Sequence, residues 1–190
     1  LARRKNNNKE LRILIIPHLT RVGDLICVTP AIRVIKQKYP HSFIAVAVGK
    51  KIELILENNP YVDAVVVFRS NQVFHFLHKI YRRNFNWIFN FSGTSFGTLI
   101  SIYGAIPNKV KLTKEERSWD EVFTDWFNNF NFLFKNHTDP ILHYLKMLEV
   151  LNIKSYDTKK DIFISESGEL KAKKFSGFLV GISISAGNKV

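Results

Sequence analysis

The feature that most constrains this chain is a series of short apolar runs: Ile13 to Ile16, Phe43 to Val48 and Ala64 to Phe68, unbroken, and Trp87 to Phe91, interrupted only at Asn90. They are continuous rather than alternating, which marks strands buried on both faces. Between them lie segments with helical spacing or helix punctuation. Ala31 to Lys38 is stopped by Tyr39-Pro40, and Ile52 to Glu57 is closed by Asn58-Asn59-Pro60. Phe74 to Arg83 and Thr98 to Tyr103 follow, and Lys109 to Leu112 reads as a further short strand. Strands joined by helices pair in parallel through right-handed crossovers. The expected fold is therefore α/β, a Rossmann-like doubly wound parallel sheet with its ligand crevice at the carboxyl ends of the strands.

The loop after the first run carries Thr20-Arg-Val-Gly-Asp24. Thr29-Pro30 reads as an N-cap and first turn of a helix. Asp24 thus falls in the loop just beyond a strand end, where such sheets bind ligands. The residues alone leave two roles open: Asp24 faces a ligand, or it only complements the positive end of the following helix. Gly23 would let the backbone turn tightly and come close to a ligand. Arg21 is either a partner for a phosphate or a solvated charge. Cys27 is the single cysteine, so no internal disulfide forms and a reducing compartment fits. Its apolar neighbours make it a small buried hydrophobe.

Residues 113 to 138 lose the rhythm and read as a long loop or irregular helices. Their aromatic part, Trp119 to Phe134, is expected to form a satellite core under that loop; the alternative is contact with a glycolipid or a membrane face. Pro140 opens an amphipathic helix, Ile141 to Leu151. Asp161 to Ile164 is a candidate edge strand, Lys171 to Phe175 a candidate helix, and Phe178 to Ile184 a last strand running into Ser185-Ala-Gly-Asn-Lys189. Three stretches result: residues 1–10, a basic tail expected to be disordered; residues 11–175, one α/β domain; and residues 176–190, the first strand and loop of a second.

Lys and Arg number 28 against 16 Asp and Glu, a net charge of +12. Two readings stand side by side: attraction to an anionic partner, or a compositional bias without meaning. No nucleic-acid motif accompanies the charge, so no nucleic-acid partner is expected. No apolar run reaches the ~18 residues of a transmembrane helix, and no signal peptide is visible. His137 and His143 form no ligand cluster with Cys27 or nearby acids, so no metal is expected. GxGxxG and GxxxxGK[ST] are absent.

Five segments together resemble glycosyltransferase family 9, the ADP-heptose:lipopolysaccharide heptosyltransferases. They are Ile13 to Arg33 with Thr20-Arg-Val-Gly-Asp24, Glu53 to Asp63 ending Asn-Pro-Tyr-Val-Asp, Phe85 to Gly93, Tyr144 to Ile153, and Val180 to Asn188. The resemblance implies the N-terminal, acceptor-binding half of a GT-B type enzyme with two Rossmann-like halves. It implies inverting transfer of heptose from ADP-heptose to the lipopolysaccharide inner core, with no metal or other cofactor. The setting would be cytoplasmic, with possible peripheral contact at the inner face of the inner membrane of a bacterial cell envelope.

Residue by residue, the resemblance makes Asp24 the catalytic base. It places Thr20, Arg21, Gly23 and Asn90 at the substrate. Ser185, Gly187, Asn188 and Lys189 would face the donor phosphates, although the family's lysine falls just beyond Val190 in spacing. His18 stands where relatives commonly carry a longer basic residue, and Asn86, Asn90 and Ser92 replace the usual Asp, Asp and Gln. These departures leave the acceptor open. Alternatives are a related glycosyltransferase acting on another surface glycan, or a non-catalytic α/β binding module. A 190-residue piece lacking the donor half is expected to be inactive alone.

Overall fold

The computed structural model describes residues 10–134 and 139–174. Six strands, β1 (Arg12–Ile16), β2 (Phe43–Gly49), β3 (Ala64–Phe68), β4 (Trp87–Asn90), β5 (Asn108–Lys114) and β6 (Phe130–Phe134), form one sheet in the order β3-β2-β1-β4-β5-β6. Every neighbouring pair is parallel; Leu14 stands opposite Ala45 on one side and Ile88 on the other. The helices are α1 (Val22–Lys38), α2 (Val73–Arg82), α3 (Ser95–Tyr103), α4 (Trp119–Asp125), α5 (Pro140–Met147) and α6 (Glu166–Ala172). The expected α/β doubly wound architecture is the one observed.

β1 sits at the centre, and its side chains divide by the two-residue period of a strand. Ile13 and Ile15 join the core beneath α1 and α5, while Leu14 and Ile16 join the core beneath α2 and α3. All four are essentially out of water, each contributing roughly 1.5–3 kcal/mol by burial.

Five expectations about the elements change. Thr29-Pro30 does not open a helix; α1 starts seven residues earlier, at Val22, and runs through Pro30. A proline inside a helix leaves the carbonyl four residues back without its donor. Here the Thr29 hydroxyl donates to the Ile26 carbonyl at 2.8 Å and takes that place. The same hydroxyl accepts the Asp161 N–H at 2.9 Å. That contact explains the second change: Asp161 to Ile164 is no edge strand. The segment is instead an irregular strap over α1, tied by ion pairs from buried Arg33 to Asp157 and Asp161.

Third, residues 113–134 are ordered. They hold the end of β5, then α4 with a capping box between Ser118 and Glu121, then β6 paired in parallel with β5. Fourth, the aromatics of this stretch do not form a buried satellite core: Trp119, Phe123 and Trp126 are 92%, 66% and 87% exposed. Fifth, the short helix Ile52 to Glu57 is a single 3-10 turn, Glu53–Leu56. Residues 1–9 of the expected tail and the expected strand Phe178 to Ile184 lie outside the described residues.

Candidate active site

From β1 the chain builds the sheet toward β2 and β3, then returns to β4 on the other side of β1 and continues outward. Between β1 and β4 the connecting loops therefore diverge, leaving a crevice at the strand carboxyl ends. One wall is Pro17 to Arg21 with the first turn of α1. The other is Phe91 to Thr94 with the first turn of α3.

The first wall is held from behind. The Gly49 N–H at the end of β2 donates to the Leu19 carbonyl at 2.7 Å. A Cβ at position 49 would lie 2.5 Å from that oxygen, so this close approach requires glycine. Pinned there, the loop leaves Thr20 and Arg21 exposed. Asp24 occupies the first turn of α1, not the preceding loop. Its side chain is 40% exposed, and its Oδ2 lies 3.8 Å from Nη1 of Arg21. So loose and wet a pair is weak, which leaves the carboxylate open to another partner. Gly23 does not form the tight turn expected of it. It is helical, and a Cβ there would meet nothing within 4 Å. The space beside Gly23 is consequently open.

His18 projects from the same loop, with Nδ1 3.4 Å from the Thr20 hydroxyl. Its pKa is lowered, first by partial burial, then by the charge of Arg21; Asp24 opposes the shift and Lys114 adds to it. Cys27, one turn further along α1, keeps its proton because burial pushes the thiol up. It is half-buried against the core, in line with the hydrophobic role expected of it. The Tyr144 phenol on α5 is likewise held up, by burial and then by the charge of Asp24.

The second wall is a hydrogen-bonded loop. Asn90 is 2% exposed. Its Nδ2 donates to the Thr94 carbonyl at 2.9 Å, and its Oδ1 accepts from the Ser92 hydroxyl at 2.7 Å. Because Ser92 donates to Asn90, the 2.9 Å contact between the Ser92 and Thr94 hydroxyls must be donated by Thr94. Thr94 also caps α3 by accepting from the Gly97 N–H. Asn90 thus bonds within its own loop and shapes the wall.

The structure therefore brings Thr20, Arg21, Gly23 and Asp24 together and sets Asn90 behind the facing wall. Ser185, Gly187, Asn188 and Lys189 lie outside the described residues. Sequence reasoning missed Thr94, Lys114, Tyr144 and Lys160. Lys114 ends β5, and Lys160 lies close enough to Cys27 to act on its thiol. A signal for Thr94 was present in its position just before α3; nothing local in the sequence marked the other three. Among the described residues no group of three or more His, Cys, Asp or Glu is placed to hold a metal ion.

No protein-family model and no curated protein matches the sequence. Solved structures do match the fold. A family 9 glycosyltransferase from Veillonella parvula superposes with a TM-score of 0.68 at 20% identity, over 87% of this chain and 49% of its own. The ADP-heptose lipopolysaccharide heptosyltransferase II of Escherichia coli gives 0.63 at 13% identity, over 86% and 50%. The E. coli heptosyltransferase WaaC, solved with ADP-2-deoxy-2-fluoro heptose, gives 0.66 at 14% identity, over 79% and 51%. The chain spans about half the length of these structures. Its fold is that of one Rossmann-like half of a GT-B glycosyltransferase.

Proposed function

We propose that this chain is the acceptor-binding half of an inverting glycosyltransferase of the family 9 type, with Asp24 as general base. The observation that carries the reading is the place of Asp24: a partly exposed carboxylate at the sheet's switch point, only loosely paired with Arg21. The fold likeness to heptosyltransferases supports ADP-heptose as the donor and the anionic lipopolysaccharide inner core as the acceptor. Arg21, Lys114 and Lys160 supply positive charge around the crevice to draw such an acceptor in.

In this mechanism an acceptor hydroxyl enters beside Asp24. Its oxygen attacks the anomeric carbon of the donor as Asp24 takes its proton. The bond from that carbon to the nucleoside diphosphate breaks, the diphosphate leaves with the electron pair, and the configuration inverts. A positioned base of this kind accelerates transfer by roughly 10²–10⁴-fold. His18, with its proton affinity lowered by partial burial and the charge of Arg21, stands beside the base. The donor would be held by a second Rossmann-like half, with Ser185, Gly187, Asn188 and Lys189 as its entry loop.

A second reading keeps the chemistry and changes the acceptor to another surface glycan. It is favoured by the wall at Ser92 and Thr94, which is polar and carries no charge. A panel of ADP- and UDP-sugars with heptose-terminated and heptose-free acceptors, run on the protein at its natural full length, separates the two. ADP-heptose transfer to a lipopolysaccharide core supports the first reading, and activity only with another pair supports the second. Activity with none removes both.

A further inference from the structure

Helices α3 and α4 are built inside out. A surface helix ordinarily buries its apolar stripe and shows polar residues to water. α3 has no charged residue; it buries Thr98 and Ser101 beside Ile100 and exposes Leu99, Ile102 and Tyr103. α4 buries Thr124 and Asp125 and exposes Trp119, Val122 and Phe123 beside Asp120, and its C-cap residue Trp126 is exposed as well.

The inversion is enforced rather than loose. The buried polar groups bond to one another and to the sheet. Thr124 reaches Ser95, and Asn128 reaches Thr98. Lys111 of β5 reaches Thr124 and Asp125. Ser95 also donates to Asp120. These bonds fix α4 against α3 with its aromatic side outward.

Aromatic side chains bury about 150–250 Å² each when covered. Three that stand largely open approach the few hundred Å² at which an exposed patch signals a binding surface. α2, packed beside α3, extends the layer with exposed Phe74 and Tyr81 interleaved with Lys79 and Arg82, and it carries no acid.

We propose that the outer face of α3 and α4 docks the protein onto a lipid bilayer bearing anionic lipid. Two tryptophans and a tyrosine have the apolar body and polar edge that suit the headgroup level. The face itself carries exposed Asp120 and no cation; the net charge of +12 and the cations of α2 bordering it supply the complement to an anionic leaflet. No described helix is long and apolar enough to cross the bilayer, so the contact lies in the interface plane. The Ser95 to Asp120 bond ties the first turns of the two helices at the crevice rim. Docking would therefore set the crevice beside the surface from which a glycolipid acceptor projects, and in this the proposal rests on the function proposed above.

The test uses the full-length natural protein and vesicles of phosphatidylglycerol and phosphatidylcholine without any glycolipid. Cosedimentation is compared between wild type and a Trp119→Ser, Phe123→Ser, Trp126→Ser variant. The proposal predicts that wild type binds and that the variant loses at least tenfold in partition at unchanged Tm. It also predicts that lipids brominated near the headgroup quench wild-type tryptophan fluorescence. Wild type that stays in solution, or a variant that binds equally well, overturns it. So does a wild-type dimer in light scattering that the variant converts to monomer without vesicles, since a second copy would then cover the face. Sugar transfer to a water-soluble acceptor fragment is measured in parallel. Transfer retained by the variant separates failed docking from failed chemistry, because these three residues stand outside the crevice.

Discussion

The ammonium of Lys111 lies 2.7 Å from Oδ1 of Asp125, with the lysine side chain wholly out of water. Arg117 engages the other oxygen of the same carboxylate. The two cations are not equivalent to the anion between them. Removing Asp125 strands a buried ammonium, whereas removing Lys111 leaves Asp125 still paired. Asp125→Ala should cost about 3–5 kcal/mol and Lys111→Met less than half of that, read from urea denaturation. Equal losses would show that the buried charge is not what the network stabilises.

The facing wall of the crevice depends on the direction of the Asn90 bonds. Asp at this position, the residue of the resembling family pattern, would set a carboxylate oxygen against the Thr94 carbonyl in place of an N–H. Asn90→Asp should destabilise by ~1–3 kcal/mol. Gly97→Ala should cost ~1–3 kcal/mol as well, because its Cβ would meet the pinned Asn90 side chain at 2.4 Å. In an Asn90→Ala background that clash has no object, so the second substitution should become nearly neutral. Thermal melts of the four chains complete the cycle.

The Thr29 hydroxyl serves two backbone groups at once, the Ile26 carbonyl and the Asp161 N–H. Thr29→Val keeps the shape and strands both. A loss of ~1–3 kcal/mol is expected, together with faster hydrogen exchange at Asp161. Unchanged exchange there would mean that the strap is held by Arg33 alone.

His18 titrates below the ordinary histidine value of about 6.5. With the folded value depressed, the folded chain binds fewer protons than the unfolded one. The stability from neutral His18 is full above about pH 6.5 and is lost as pH falls through the folded value. An NMR titration should show the midpoint shift upward in Arg21→Ala and downward in Asp24→Asn, because the two charges act in opposite directions. A midpoint that ignores both substitutions would place His18 away from the pair.

β1 and β2 were legible because they are buried on both faces and so read as unbroken apolar runs; β3, only partly buried at the sheet edge, kept an apolar β-branched run, and β4 one that breaks only at Asn90. α1 was misjudged at its start because Thr29-Pro30 carries the local signature of a helix opening; only the tertiary bond to Asp161 reveals the hydroxyl's other use. α4 was illegible for a different reason. Its buried residues are polar Thr124 and Asp125 while its apolar residues are exposed, so helical periodicity points the wrong way. β6, Phe130–Phe134, is half exposed at the sheet edge and gives neither a continuous nor a cleanly alternating pattern. In the site, Asp24 could be placed from its position after β1. The loop at Asn90 could not, because nothing in Asn-Phe-Ser-Gly-Thr shows that the amide folds back on Thr94.

The most direct test of the account is sugar transfer by the full-length natural protein, wild type against Asp24→Asn, with ADP-heptose and a lipopolysaccharide core acceptor. The account predicts inverting transfer by wild type and a fall of about 10²–10⁴-fold in kcat for the variant, at unchanged Tm. Transfer by Asp24→Asn at the wild-type rate would contradict it.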